Sequence, residues 1–146
     1  ADLIIAADTA EFALTEVTLG IMADSGGVLR LPKRIPLPIA MELLMTARRM
    51  SPEEGARWGL INKVVPKDHL MQEARALAAT IAANAPLALK AIKAVIKATL
   101  PLDVKDGYAL MRSGAIPAYT QMLKSEDALE GPRAFAEKRK PEWKGC

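Results

Sequence analysis

Apolar and polar positions along the chain divide it into two stretches of different rhythm. Ala1–Asp8 opens on a continuous short apolar run, the pattern of a strand buried on both faces, and Glu11–Leu14 and Leu60–Val65 repeat it more briefly. Between these runs the spacing turns helical over Val28–Lys33 and over Ile39–Ala47, where Glu42 is the sole charge. Pro32, Pro36 and Pro38 break the chain between those two segments. Ser51-Pro52-Glu53-Glu54 is the clearest helix start: Ser51 at the N-cap, Pro52 at N1 and Glu54 where a capping box places its acid, with Gly59 as the stop.

From Asp68 onward only helical periods remain. Leu70, Ala74, Leu77, Ala78 and Ile81 recur at three- and four-residue intervals and mark one apolar face, ended by Asn84 and Pro86. Leu87–Ala98 places Lys90, Lys93 and Lys97 on one side and Ile92, Val95 and Ile96 on the other. Val104–Lys124 is a further helical stretch weakened by Gly107, Gly114 and Pro117, and Ser125 starts another that Gly131-Pro132 should split before Arg133–Arg139. The expected organisation is α/β, with mixed strands and helices over residues 1–66 and helices alone over 67–146.

Composition narrows the chemistry. A hydrophobic content of 51% in 146 residues is enough for a core and argues against disorder. A net charge of +3, with no basic-aromatic interleaving, gives no reason to expect a nucleic-acid partner. One cysteine, Cys146, and one histidine, His69, leave neither an internal disulfide nor a Cys- or His-based metal site, so no metal is expected. No apolar run reaches the length of a membrane span and no signal peptide is visible, so no membrane partner and a cytoplasmic location are expected. Because the chain opens directly on a strand-like run that needs neighbours, it is expected to be the later part of a larger fold.

The one constellation suited to catalysis lies in Phe12–Arg30, where Glu16 and Asp24 stand close to Gly26 and Gly27. Carboxylates move protons, and glycines admit a ligand close to backbone N–H groups. By themselves the residues leave alternatives open. Glu16 is either an acid/base or a solvated turn residue, and Asp24 either a site residue or a cap before the glycine pair. Gly26 and Gly27 serve helix packing, ligand approach, or both. His69 reads as an exposed surface residue, Trp58 and Trp143 as packing residues, and Lys138, Arg139, Lys140 and Lys144 as a solvated basic end.

Three runs, ADLIIAADTAEFALTEVTLGIMADSGGVLRLPKRI, MELLMTARRMSPEEGARWGLINKVVP and SEDALEGPRAFAEKRKPEWKG, together resemble the crotonase (enoyl-CoA hydratase/isomerase) superfamily, in order and over essentially the whole chain. DSGGVLRLPK, the Arg112–Gly114 RSG and the final EGPRAFAEKRKPEWKG are most like its carnitinyl-CoA dehydratase branch. The resemblance implies the C-terminal part of a crotonase-like ββα core followed by a helical trimerisation region. It implies an acyl-CoA substrate, with coenzyme A present only as part of the thioester and no other cofactor. It also implies a homo-oligomer, a trimer or a dimer of trimers.

The activity implied is a lyase adding or removing water across an enoyl-CoA double bond, with an enoyl-CoA isomerase as the alternative. A third possibility is a non-catalytic oligomerising fragment, because the family's oxyanion N–H donors and first glutamate would lie upstream of Ala1. By resemblance Glu16 matches the catalytic glutamate, Asp24 a proton-transfer position of some isomerases, and Phe135 and Lys138 contacts to the CoA of a neighbouring subunit. Thr15 and Ala23 stand where the family usually has proline, which loosens both turns.

Overall fold

Ser51 caps its helix as its type predicts: its hydroxyl accepts the Glu54 N–H at 3.2 Å, and Pro52 occupies the first turn where no N–H is needed. Only that half of the capping box forms. The Glu54 carboxylate turns instead to Arg48, at 2.7 and 2.9 Å, and to the Trp58 indole N–H at 3.4 Å. The Arg48 guanidinium also donates to Glu42 at 2.6 Å, so one side chain joins the helix carrying Glu42 to the one carrying Glu54. These bonds, led by that from Arg48, lower the Glu54 pKa below the usual carboxylate value.

The computed structural model describes residues 1–146 and separates into two compact units, Ala1–Leu77 and Ala78–Cys146. The sequence rhythm changes at residue 66, but the first unit runs eleven residues further. It takes in the first half of a helix whose Glu73 accepts an ion pair from Lys63 at 2.6 Å.

The first unit contains strands β1 (Ile5–Ala7) and β2 (Lys63–Val65), and helices α1 (Gly27–Arg30), α2 (Leu37–Thr46) and α3 (Pro52–Arg57). Glu16–Leu19, Leu31–Lys33 and Lys67–His69 are 3₁₀ turns. β1 and β2 pair in parallel, Ile5 with Lys63 through Ala7 with Val65, and form the chain's one sheet. A repeated ββα pattern is therefore not present within these residues. Glu11–Leu14 is not a strand either: Phe12 alone pairs, antiparallel, with Met50. The core of the unit is Ile35, Ala40, Leu43 and Met50, with Phe12, Leu31, Ile39, Trp58 and Leu60 packed against it.

Helix α4 (Leu70–Ala82) runs from the first unit into the second, and His69 just before it is exposed. The second unit continues with α5 (Pro86–Thr99), α6 (Val104–Arg112), α7 (Pro117–Leu123) and α8 (Glu126–Ala136). On α5 the inward positions are Leu87 and Ala91, and Ile92 and Ile96 are each 54% exposed. A helix apolar on two sides offers periodicity no means of choosing which side to bury. The break between α6 and α7 falls at Gly114, whose φ of 85° is left-handed, and Pro117 starts the next helix.

Contrary to expectation, Gly131-Pro132 does not split the last helix. The Ser125 hydroxyl caps α8 by accepting the Ala128 N–H at 3.2 Å, and the Trp143 ring lies against the face where Gly131 has no Cβ. This packing outweighs the one backbone hydrogen bond that proline removes. The tail is held along α8. Asp127, 4% exposed, accepts the Lys144 and Gly145 N–H groups at 2.7 and 3.0 Å, and Glu130 accepts the Glu142 N–H at 2.9 Å. The Trp143 indole donates to the Ala83 carbonyl at 2.9 Å. Cys146 is an exposed free thiol. No single helix is long and apolar enough to cross a membrane.

The Arg139 guanidinium, and after it the Glu142 N–H, lower the Glu130 pKa to about 2. A carboxylate whose folded pKa is depressed stabilises the fold fully above its unfolded value, and that contribution is lost as pH falls towards the folded value. The tail should therefore loosen between about pH 4.5 and pH 2. Fluorescence of Trp143, read in a Trp58→Phe background, should change over that window in the wild type. Glu130→Gln should abolish the part of the change that depends on Glu130.

Candidate functional site

Glu16 opens a single 3₁₀ turn, closed by Gly20 at φ 76°, a left-handed conformation that glycine adopts without a Cβ clash. The Gly20 N–H reaches the Val17 carbonyl at 3.2 Å and the Ile21 N–H reaches the Glu16 carbonyl at 3.3 Å. The Thr18 hydroxyl donates to the Thr15 carbonyl at 2.7 Å and tightens the entry where the proline is missing. The turn packs against α2. Glu16 is half-buried, and its Oε2 is closed off from solvent with no hydrogen-bond partner. A buried acceptor left unmade costs about 1–3 kcal/mol, which a water or hydroxyl donating to it would recover.

Asp24 is exposed, and its carboxylate accepts only the Ser25 hydroxyl, at 3.5 Å. It does not cap the helix after it: the N-cap of α1 is Gly26, with no side-chain bond. Gly26 and Gly27 line an apolar cleft of about 530 Å³, together with Phe12, Leu14, Leu43 and Leu60. Glu16 and Asp24 do not line it.

Both glycines are required by what approaches them. At Gly26, φ is 111° and an added Cβ would lie 2.1 Å from the Arg30 guanidinium, which crosses it to donate to the Ser25 carbonyl at 3.2 Å. At Gly27 an added Cβ would lie 2.8 Å from the Ala23 Cβ and 3.1 Å from both Leu14 methyls. Arg30 and Arg34 line the same cleft and were not singled out in the sequence. Their four-residue spacing behind the glycine pair was the available signal.

Phe135 and Lys138 belong to the second unit. Phe135 is 87% exposed at the end of α8, and Lys138, also exposed, follows in a left-handed turn at φ 53°. The turn closes through Lys138 N–H to the Phe135 carbonyl at 3.2 Å and Arg139 N–H to the Ala134 carbonyl at 3.0 Å. This is the bond pattern of a Schellman cap, with lysine at the position glycine usually takes. No group of three His, Cys, Asp or Glu side chains is placed to hold a metal ion.

All of residues 1–146 match the enoyl-CoA hydratase/isomerase family. The chain belongs to that family. It is 59% identical to the carnitinyl-CoA dehydratase of Proteus mirabilis over 145 residues, 99% of this chain and 56% of that protein. The carnitinyl-CoA dehydratase of Salmonella typhi is 54% identical over the same extent. The chain thus spans little more than half the length of these curated relatives. Among solved structures, the enoyl-CoA hydratase of Bacillus anthracis superposes with a TM-score of 0.92 at 38% identity, covering all of this chain and 55% of that one. The Mycobacterium tuberculosis enoyl-CoA hydratase gives 0.90 at 39%, covering all of this chain and 56% of that one. The crotonase-type fold expected from the sequence is borne out at this level, as a mostly helical chain with a small parallel sheet.

The glycine geometry makes an internal comparison. Gly27→Ala forces contact between packed methyls and should destabilise the protein by about 1–3 kcal/mol. Gly107→Ala, in α6, meets only Thr99 at 3.6 Å and should stabilise by about 0.5–1 kcal/mol. Urea midpoints of the two variants should move in opposite directions from wild type.

Proposed function

We propose that the protein is an acyl-CoA lyase of the hydratase/dehydratase type, with Glu16 as its acid/base. The enclosed Oε2 of Glu16, a buried acceptor without a partner, carries the reading, because a water admitted beside it would supply the missing hydrogen bond and the proton to be withdrawn. In hydration, Glu16 withdraws a proton from water as the water oxygen bonds to the β-carbon of the enoyl thioester. The enolate so formed then takes on its α-carbon the proton that Glu16 holds, which returns the carboxylate to its starting state. In dehydration the carboxylate removes the α-proton and passes it to the departing hydroxyl. The charge developing on the thioester oxygen requires preorganised N–H donors. The family's donors and first glutamate lie in the portion of the fold that the sequence motifs place before these residues. On this reading the chain is the C-terminal part of the fold.

Gly26 and Gly27 line the apolar cleft, Asp24 is a polar site residue outside that lining, and Phe135 and Lys138 contact the CoA moiety. The substrate is a CoA thioester and needs no further cofactor. Identity of 59% to a carnitinyl-CoA dehydratase supports a carnitinyl or similarly small enoyl substrate.

Oligomerisation through the helical stretch, as a trimer or a dimer of trimers, is a second part of the reading. No residue of α4, α6 or α7 is fully buried, and large apolar side chains such as Leu100 and Val104 stand open. Large apolar side chains left open on successive helices support this reading, since extended apolar surface marks protein–protein contact. It also favours the alternative that this chain alone serves assembly without turnover.

The test uses the protein expressed from its intact gene, assayed with crotonyl-CoA and carnitinyl-CoA by the absorbance of the conjugated thioester. Glu16→Gln should lower kcat by about 10²–10⁴, the range for loss of a general acid/base, while Asp24→Asn stays within about tenfold. Turnover surviving in Glu16→Gln would remove Glu16 from the chemistry. If Asp24→Asn alone abolished activity, a proton-shuttling isomerase would be the better description.

A further inference from the structure

The last turn of α8 is more elaborate than a helix end requires. Lys138 sits left-handed at the Schellman position, where glycine fits without steric cost. Its neighbour Arg139 is fixed on both flanks. The guanidinium donates to both oxygens of Glu130, at 2.6 and 2.9 Å, and through Nε to Glu137 at 2.6 Å. Glu130 is the more enclosed of the two acids, with 15% of its side chain exposed, and it also receives the Glu142 N–H. The carboxylate about two turns back along α8, the residue before Lys138 and the tail after it are thus bound together through Arg139 and Glu130. A backbone strain that persists because its surroundings over-determine it points to a role for the side chain held there.

We propose that Glu130, acting through Arg139, is a positioning residue that aims Lys138 at the phosphates of a CoA thioester. The inference rests on the reading that Lys138 contacts CoA. Ala47 is the chain's other left-handed residue with a side chain, and it also ends a helix. It has a methyl where Lys138 has a charged arm, so only at Lys138 does the conformation direct a group that can meet an anion. The bidentate pair fixes the plane of the guanidinium, which a lysine at position 139 could not reproduce. Phe135, one turn earlier and open to solvent, presents an aromatic face beside the same charge. Ring and cation together suit a nucleotide carrying phosphate.

The experiment measures KM and kcat of the protein from its intact gene with two substrates, crotonyl-CoA and crotonyl-pantetheine, the second lacking the nucleotide. Lys138→Gly should raise KM for crotonyl-CoA about tenfold, the worth of one charge-assisted hydrogen bond, with kcat within about twofold and no fall in Tm. Glu130→Gln should raise the same KM while leaving KM for crotonyl-pantetheine unchanged. In the double variant the effect of Glu130→Gln should vanish, because the group it positions is gone. Arg139→Gln repeats the test if Glu130→Gln folds poorly. Additive effects in the double variant, or an equal rise in KM for both substrates, would assign Glu130 a purely structural role and overturn the proposal. An unchanged KM in Lys138→Gly would instead overturn the CoA contact itself, and the positioning role with it.

Discussion

The first unit depends on a pair of backbone hydrogen bonds between Phe12 and Met50, N–H to carbonyl in both directions at 3.0 and 2.8 Å. They seat the segment that leads into Glu16 against the connection between α2 and α3. Met50 is only 2% exposed and belongs to the core with Ala40 and Leu43. The position of the carboxylate is therefore inherited from the best-packed part of the unit. Two residues before Met50, Arg48 joins Glu42 and Glu54. Those groups are partly solvated, and such pairs contribute modestly to stability. What they add is direction, because a bidentate pair fixes the angle at which the chain enters α3.

Left-handed backbone recurs where the chain turns quickly. Gly20 and Gly26 are both left-handed, within ten residues of Glu16, and the second also admits the Arg30 guanidinium. Lys138 is left-handed without the excuse of being glycine. A chain selected for stability alone would place glycine there. Of these turns only that at Lys138 carries a steric cost, and the carboxylates gripping Arg139 hold it in place.

The legible parts of the sequence were those governed by local rules. Ser51, Pro52 and Gly59 marked a short helix because capping and helix termination act within a few residues. Where tertiary contacts decide, the sequence misled. Glu11–Leu14 looks like a strand but finds only one pairing residue. Gly131-Pro132 looks like a break, but a tryptophan twelve residues beyond Gly131 packs across it and the helix continues. The site followed the same division. Glu16 stood out only through the family resemblance, since an acid in a turn carries no signature of its own. The closing-off of its Oε2 goes with packing of its turn against α2, a segment distant in sequence.

A content of 51% hydrophobic residues is ample for a self-contained core, yet α4, α6 and α7 bury none of their side chains fully. α5 shows the reason most clearly. Its small inward residue Ala91 is 3% exposed, while the larger Ile92 and Ile96 face outward. Small residues inside bring helices close, and large ones outside leave apolar area to be covered. Covering it is worth roughly 25 cal/mol for each Å² removed from water, the same term that drives folding. Helices arranged this way leave part of that term unused, because their larger apolar side chains stay in water.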